Sequence, residues 1–167
     1  MNALKSDSSS RNAPDPEVGF LHRGDEPCLC EELLVPEGVV AIDNFCFADS
    51  PNLKRVILPS SVREIGVGAF SNCRLLESVT LPKGMLRLRK LLFSGCERLA
   101  AVTIPDGVTS IGEWAFRDCT SLRSVSVPAS VTEICAESFL GCPALTLIAP
   151  PGSYAEEYAR TIMTKVP

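Results

Sequence analysis

The sequence predicts a β-rich (α+β) solenoid of five stacked 23-residue coils with a short C-terminal capping helix. Three observations predict it. Proline recurs six times at intervals of 23 residues, from Pro36 to Pro151, and phenylalanine keeps the same interval from Phe47 to Phe139. Between these markers lie short segments in which apolar and polar residues alternate, as they do in β-strands. A fixed period of this size is typical of coils that bury their apolar edges only by stacking.

Each copy repeats the same elements in the same order. The segment "VTIP" (102–105) predicts a strand with Val102 and Ile104 facing inward and Thr103 outward. The segment "VTSI" (108–111) predicts a second extended stretch, and the Ala-Phe pair that follows starts an irregular return. Residues 36–150 therefore contain five complete copies.

The repeated pattern, V-x-[ILV]-P-x-x-V-x-x-I-x-x-x-A-F-x-x-C-x-x-L, resembles the BspA-type leucine-rich repeat of bacterial surface proteins and some protists. The segment "LRSVSVPASVTEICAESFLGC" (122–142) fits it well, and "GSYAEEYA" (152–159) is similar to the usual C-terminal ending of the family. The resemblance covers about residues 28 to 163 and implies a leucine-rich-repeat fold. It also implies a non-catalytic protein-binding module, since members with assigned roles act in adhesion and bind host or matrix proteins.

The two ends of the repeat array are expected to differ. Residues 1–26 are polar and predict a flexible tail, whereas residues 27–35 form a degenerate half repeat. Residues 151–167 predict a cap helix and tail, with the helix over 153–163. Ser153 and Glu156 form the S-x-x-E pattern of a capping box at its start.

The composition limits the classes of partner and the cellular compartments that the sequence predicts. The formal net charge of −4 argues against nucleic acid as a partner. The sequence contains no run of about 18 apolar residues, so membrane insertion is not predicted. The N-terminus lacks a secretory leader, so the sequence as given predicts a cytoplasmic protein. A leader outside this sequence would instead indicate a secreted or cell-surface protein. Three functions therefore stay open. They are an adhesin-like module, an intracellular scaffold or effector, and a structural module that associates weakly with itself.

No constellation predicts catalysis, a metal site or a cofactor. His22, the single histidine, falls in the predicted tail, where nothing holds it beside a nucleophile. Cys28 and Cys30 are interpreted as core-facing thiols because no second pair of metal ligands is evident, and a metal or redox pair is the alternative. The 23-residue column of Cys73, Cys96, Cys119 and Cys142 predicts a ladder of buried, reduced thiols, because parallel stacking holds their Cβ atoms too far apart for disulfides.

The candidates for binding residues are therefore the positions that face outward from the coils. The preferred surface is an apolar patch with basic residues, formed by Leu91, Trp114, Arg87, Arg89 and Lys90. The alternative is the exposed strand face, formed by Ile57, Thr80, Thr103, Ser126 and Arg123. Copy three also departs from the pattern, with Arg89 in a glycine column and Leu92 in an alanine column, which predicts a local irregularity.

Overall fold

A computed structural model describes residues 19–22 and 28–163. These residues form a β-solenoid of five coils with one short helix, which confirms the predicted fold class. The elements in chain order are β1 (Phe20–Leu21), β2 (Glu32–Leu34), β3 (Ala41–Ile42), β4 (Arg55–Ile57), β5 (Glu64–Ile65), β6 (Ser78–Thr80), β7 (Arg87–Leu88), β8 (Ala101–Thr103), β9 (Ser110–Ile111), β10 (Ser124–Ser126), β11 (Glu133–Ile134), β12 (Thr146–Ile148) and α1 (Tyr154–Met163).

Each coil contributes one two-residue strand and one three-residue strand, and every pairing is parallel between neighbouring coils. The register follows the repeat, so that Val125 pairs with Val102 and Ile134 with Ile111. In β4 the middle residue, Val56, is 1 % exposed between two exposed neighbours. The period-2 pattern of the sequence therefore sets which face of each strand enters the core.

The phenylalanine column is the centre of the core. Phe47, Phe70, Phe93, Phe116 and Phe139 form one continuous stack, with ring centroids 5.3 to 5.8 Å apart. Four of these side chains are fully buried, and only Phe139, the last of the stack, retains 8 % exposure. Burying one such side chain is worth about 1.5–3 kcal/mol, so the stack is a large source of stability for the solenoid.

The cysteine column lies beside this stack and its thiols are reduced, as the sequence predicts. Each thiol donates a hydrogen bond to the phenylalanine carbonyl of the preceding coil, at 3.0 to 3.2 Å. Burial raises the pKa of Cys73 to about 12 and also raises the pKa of Cys96. The column therefore connects successive coils by hydrogen bonds, beyond the role of small apolar filler expected for buried cysteine.

Both strand ladders stop between copies two and three. The paired groups are β1-β3-β5, β2-β4-β6, β7-β9-β11 and β8-β10-β12, so β5 does not pair with β7 and β6 does not pair with β8. The return segments stay joined at this junction, where Gly68 N–H donates to Lys90 O at 3.0 Å and Phe70 N–H to Leu92 O at 3.1 Å. The irregularity predicted for copy three is therefore a loss of strand pairing with copy two, which we call the split. The hydrogen bonds between the return segments of the two copies are kept.

The N-terminal end differs from the predicted tail. Residues 20–21 form β1, which pairs with β3, so the prediction of a flexible segment is wrong for residues 19–22. Leu21 is 1 % exposed, and this buried apolar side chain explains why the strand docks. The half repeat supplies β2, in which Leu33 pairs with Val56. The rest of the predicted tail, residues 1–18 and 23–26, lies outside the described residues.

The C-terminal end carries the predicted helix. Glu156 N–H donates to Ser153 Oγ at 3.3 Å, and the Glu156 carboxylate accepts from Gly152 N–H at 2.7 Å. The Tyr158 hydroxyl donates to the carbonyls of Cys135 and Ala136, and these bonds fasten the helix to the last coil.

The last coil is one residue short. Ser126 pairs with Ile148, so the 23-residue spacing, which would place Ala149 opposite Ser126, fails at this step.

Candidate protein-binding surfaces

Trp114 belongs to a column of residues with left-handed backbone at the start of each return. The φ angles are 55° at Phe45, 58° at Gly68, 59° at Leu91 and 57° at Trp114. Glycine adopts such angles without cost, whereas a bulky residue there is an uncommon and strained choice. Gly68 was the one sign of this conformation in the sequence.

The Trp114 side chain is half-buried and held from three sides. Lys90 Nζ lies 4.5 Å from the centroid of its ring, and Arg117 Cζ lies 5.3 Å away. The indole N–H donates to the carboxylate of Glu137 on the next coil. Cation–π contacts at exposed sites are worth about 0.5–1 kcal/mol each, so these contacts favour this orientation of the ring.

The basic residues of the predicted patch have different neighbours. Lys90 pairs with Glu113 at 2.6 Å, and Arg89 pairs with Glu64 although Glu64 shares the column of Arg87. The Arg89 Nε atom is buried without a hydrogen-bond partner among the described residues. Arg87 is exposed on β7 and takes part in no ion pair within the described parts of the chain. Surface pairs of this kind contribute little to stability.

The structure therefore assembles part of the predicted patch. Lys90, Leu91 and Trp114 lie on adjacent coils, which are joined where Leu91 N–H donates to Glu113 O at 3.1 Å. Arg117, which sequence reasoning missed, completes the setting of the indole. Its place three residues after Trp114 gave no sign of this contact, because the return has no helical or strand periodicity.

The strand face is flatter and more polar at its centre. Thr80 and Thr103 are exposed in the outward column, and Ser126 is half-buried. Arg123 is exposed just before β10. The two ends of this face are apolar, since Leu34 is 48 % and Ile148 is 55 % exposed. The full outward column is Leu34, Ile57, Thr80, Thr103, Ser126 and Ile148.

Three residues to which the sequence assigned no functional role have partners in the structure. Cys28 and Cys30 are joined by a disulfide, with Cα atoms 5.5 Å apart, so their interpretation as thiols is wrong, although both pack against the core as expected. Their Cα separation lies within the range that a disulfide spans, and the bond leaves Leu29 68 % exposed between them. His22 Nδ1 lies 2.6 Å from a carboxylate oxygen of Asp43, although both side chains remain about half exposed.

Within the described ranges, 19–22 and 28–163, no group of three or more His, Cys, Asp or Glu side chains is arranged to hold a metal ion. In the same ranges no helix has the length and apolar character needed to cross a membrane.

The parallel strands, the stacked phenylalanines and the 23-residue coils define a leucine-rich-repeat solenoid protein. A family model, the BspA type leucine rich repeat region, matches residues 26–153 with six copies, and the chain belongs to this family. The match confirms the family that the repeated pattern resembles. No protein with a curated description matches the chain.

Three solved structures are similar to this chain. A leucine rich cell surface protein from Faecalibacterium prausnitzii A2-165 is 34% identical with a TM-score of 0.77, over 84% of this chain and 37% of that one. A leucine rich repeat protein of T. pallidum is 34% identical with a TM-score of 0.72, over 79% and 63%. One from Bacteroides ovatus ATCC 8483 is 30% identical with a TM-score of 0.68, over 80% and 36%. The chain thus matches less than two thirds of the length of each.

Proposed function

We propose that this chain is a non-catalytic protein-binding module of the adhesin-like type, and that it binds through the Trp114 patch. This patch comprises Leu91, Trp114, Lys90, Arg89 and Arg87. The observation that carries the proposal is the presence of two bulky side chains, Leu91 and Trp114, at left-handed backbone positions on the surface of adjacent coils.

Such positions are costly for these side chains. A left-handed conformation costs a non-glycine residue roughly 1–2 kcal/mol, and residues of this kind cluster at binding and active sites. Phe45, in the same column, has a structural use, because its ring covers Gly68 on the next coil. The ring and hydrogen-bond contacts of Trp114 are instead with the surface charges of Lys90, Arg117 and Glu137.

The chemistry of the patch suits a protein partner. Tryptophan and arginine are the residues that most often dominate binding energy at protein interfaces, and a ring that is already fixed loses little entropy on binding. The cell-surface description of the F. prausnitzii protein supports the adhesin-like version of the proposal. An intracellular scaffold or effector, and a module that associates with itself, are the alternatives that the test distinguishes.

The test compares Trp114→Ala with the unaltered chain on an array of purified extracellular-matrix proteins. We expect at least one matrix protein to bind, and its affinity to fall at least tenfold in Trp114→Ala, because the central anchor of the patch is lost. Circular dichroism melts would establish that the variant keeps its fold.

The matched control is Tyr154→Ala, which removes another aromatic side chain, 42 % exposed, from α1. This variant should bind as the unaltered chain does. Binding that survives Trp114→Ala would overturn the patch. The absence of binding to every matrix protein would overturn the adhesin-like version, and concentration-dependent light scattering in that case would favour self-association.

A further inference from the structure

The disulfide between Cys28 and Cys30 has no evident purpose in stabilising the fold. A cross-link stabilises a protein mainly by restricting the unfolded chain, and the gain grows with the length of the loop that it closes. This bridge joins residues two apart in the sequence, so the loop that it closes contains only Leu29 between the cysteines. The bridge therefore restricts the unfolded chain very little, which leaves its chemistry as the property to explain.

Copy one holds the backbone of this loop independently of the bridge. Asn52 Nδ2 donates to Leu29 O at 3.2 Å. Just after the loop, Glu31 O accepts from Lys54 N–H at 2.7 Å and from Arg55 N–H at 3.1 Å. Cys28 and Cys30 also pack against the hydrophobic core. Because these contacts do not involve the sulfur–sulfur bond, we expect the bridge to open and re-form while β2 stays paired.

The bridge is also accessible from solvent. Both of its cysteines are only half-buried, and Leu29 between them is 68 % exposed. Cys96 and Cys119, in the middle of the cysteine column, are by contrast fully buried. Thiol–disulfide exchange requires a thiolate to reach a sulfur atom, and exposed disulfides are the labile ones. The Cys28–Cys30 bridge therefore combines a small structural role with open access.

The surroundings of the bridge suit one sulfur as the leaving group. Cys30 N–H donates to Cys28 Sγ at 3.4 Å, and a hydrogen bond to a thiolate stabilises its charged form. The two acidic residues that follow the loop would oppose a thiolate, but each is paired with a cation at 3.1 Å. These pairs are Glu31 with Lys54 and Glu32 with Arg55. Cys30 is therefore the sulfur expected to be attacked, and Cys28 the one expected to leave.

We propose that the Cys28–Cys30 bridge is a thiol–disulfide exchange site that oxidises dithiol segments of polypeptides. A substrate thiolate attacks Cys30 Sγ, which forms a mixed disulfide and releases the Cys28 thiolate, and this thiolate takes up a proton. The second substrate thiolate then attacks the substrate sulfur of the mixed disulfide and releases the Cys30 thiolate, which is protonated in turn.

The substrate thus loses two electrons and two protons, and the bridge becomes two thiols. The exposed side chain of Leu29 supplies an apolar contact for residues that flank the substrate cysteines. This inference goes beyond the proposed binding function, and its residues are separate from the Trp114 patch.

The test mixes the full chain with a reduced synthetic peptide under argon at neutral pH. The peptide carries two cysteines separated by two residues and flanked by leucines, and mass spectrometry after acid quenching measures its oxidation. We expect one equivalent of peptide disulfide per chain. Cys28→Ser combined with Cys30→Ser removes the bridge and should slow the oxidation at least tenfold. The matched control is Cys135→Ser, which removes another half-buried cysteine and should react as the unaltered chain does.

Two further measurements separate chemistry from stability. Leu29→Ser should slow oxidation of the leucine-flanked peptide at least threefold but leave oxidation of dithiothreitol unchanged, because the small dithiol needs no apolar contact. Urea unfolding of the unaltered chain should have nearly the same midpoint before and after the bridge is reduced. Trp114→Ala should leave peptide oxidation unchanged, so failure here and failure of the proposed function are distinguishable.

Three outcomes would overturn the proposal. A bridge that stays intact while the peptide remains reduced would show that the disulfide is inert. Oxidation of the peptide at the same rate by the double variant would place the oxidant elsewhere. A large fall in the urea midpoint when the bridge is reduced would show that the disulfide serves the stability of the N-terminal end.

Discussion

Two neighbouring junctions of this solenoid are built from nearly the same sequence and behave differently. Between copies three and four, β7 pairs with β9 and β8 with β10, and Gly112 N–H donates to Leu88 O at 2.9 Å. Between copies two and three neither strand pair forms, although the rings of Phe70 and Phe93 still stack at 5.8 Å. We therefore expect strand pairing to depend on small residues in the columns of Arg89 and Leu92, whereas the return tolerates the added bulk.

This difference distinguishes two kinds of contact between coils, the strand pairs and the contacts of the return segments. At the intact junction, ladder hydrogen bonds, ring stacking and the cysteine hydrogen bond all join the coils. At the split junction, the contacts of the return remain, including the Cys96 thiol bond to Phe70 O at 3.2 Å. We therefore expect the return to carry most of the coupling between the two halves of the solenoid.

The largest expected effect comes from removing the stack at the split. Phe93→Ala should cost about 3–5 kcal/mol, because it deletes a fully buried ring. It should also uncouple the halves, so that the fluorescence of Trp114, the single tryptophan, and far-UV circular dichroism report different urea midpoints. Phe139→Ala, at the end of the stack, should cost less and keep the two midpoints together. Equal losses of unfolding free energy and coincident urea midpoints in both variants would argue against the return as the main coupling between the two halves.

A smaller effect on stability is expected from introducing the same loss of strand pairing at the intact junction between copies three and four. Gly112→Arg combined with Ala115→Leu copies the two departures of copy three into copy four. The change should cost about 2–3 kcal/mol through overpacking. It should also speed amide exchange at Thr109 and Gly112, whose N–H groups donate to Leu86 O and Leu88 O. Each single substitution serves as a control, with a smaller effect expected. Protected amides in the double variant would show that these two columns do not determine pairing.

The smallest effect concerns the cysteine column, at Cys73, whose thiol joins copy two to copy one. Burial raises the pKa of Cys73 from its ordinary value of 9.0 to about 12, so the unfolded chain loses this proton first as the pH rises. The contribution of the thiol to stability is complete below pH 9 and is lost between pH 9 and 12. The free energy of unfolding should therefore fall by about 1.4 kcal/mol for this thiol between pH 8 and 10.

Chemical denaturation at several pH values would measure this slope. Cys73→Ser is the matched control, because Ser50 already occupies this column and its hydroxyl, which does not titrate in this range, donates to Phe47 O at 2.7 Å. The variant should lose the part of the slope that Cys73 supplies. An unchanged slope would show that Cys73 does not ionise on unfolding in this range.

The repeat made the fold predictable, because a 23-residue period determines strand pairing, core columns and the position of the cap together. It also located the irregularity, since Arg89 and Leu92 break the two columns where small residues are needed. The short fifth coil could not be predicted, because Leu145 keeps the period and the missing residue falls after it. Nor could β1, because Phe20 and Leu21 lie in a polar context outside the copies.

The candidate sites were less predictable, for a physical reason. Periodicity determines which residues face inward, but the direction of an outward side chain depends on local backbone angles. The left-handed φ at Trp114, the approach of Arg117 and the choice of Glu64 by Arg89 rather than Arg87 are all of this kind.

The bonds of the cysteine column have one more consequence. Each thiol reaches a carbonyl 26 residues earlier, on the adjacent coil, and the strand pairs likewise join adjacent coils. An in-frame duplication or deletion of one repeat unit in the gene therefore leaves each remaining coil with an equivalent neighbour. A unit such as copy three takes Arg89 and Leu92 with it, so that its duplication would repeat the interruption of the strand ladders along the array.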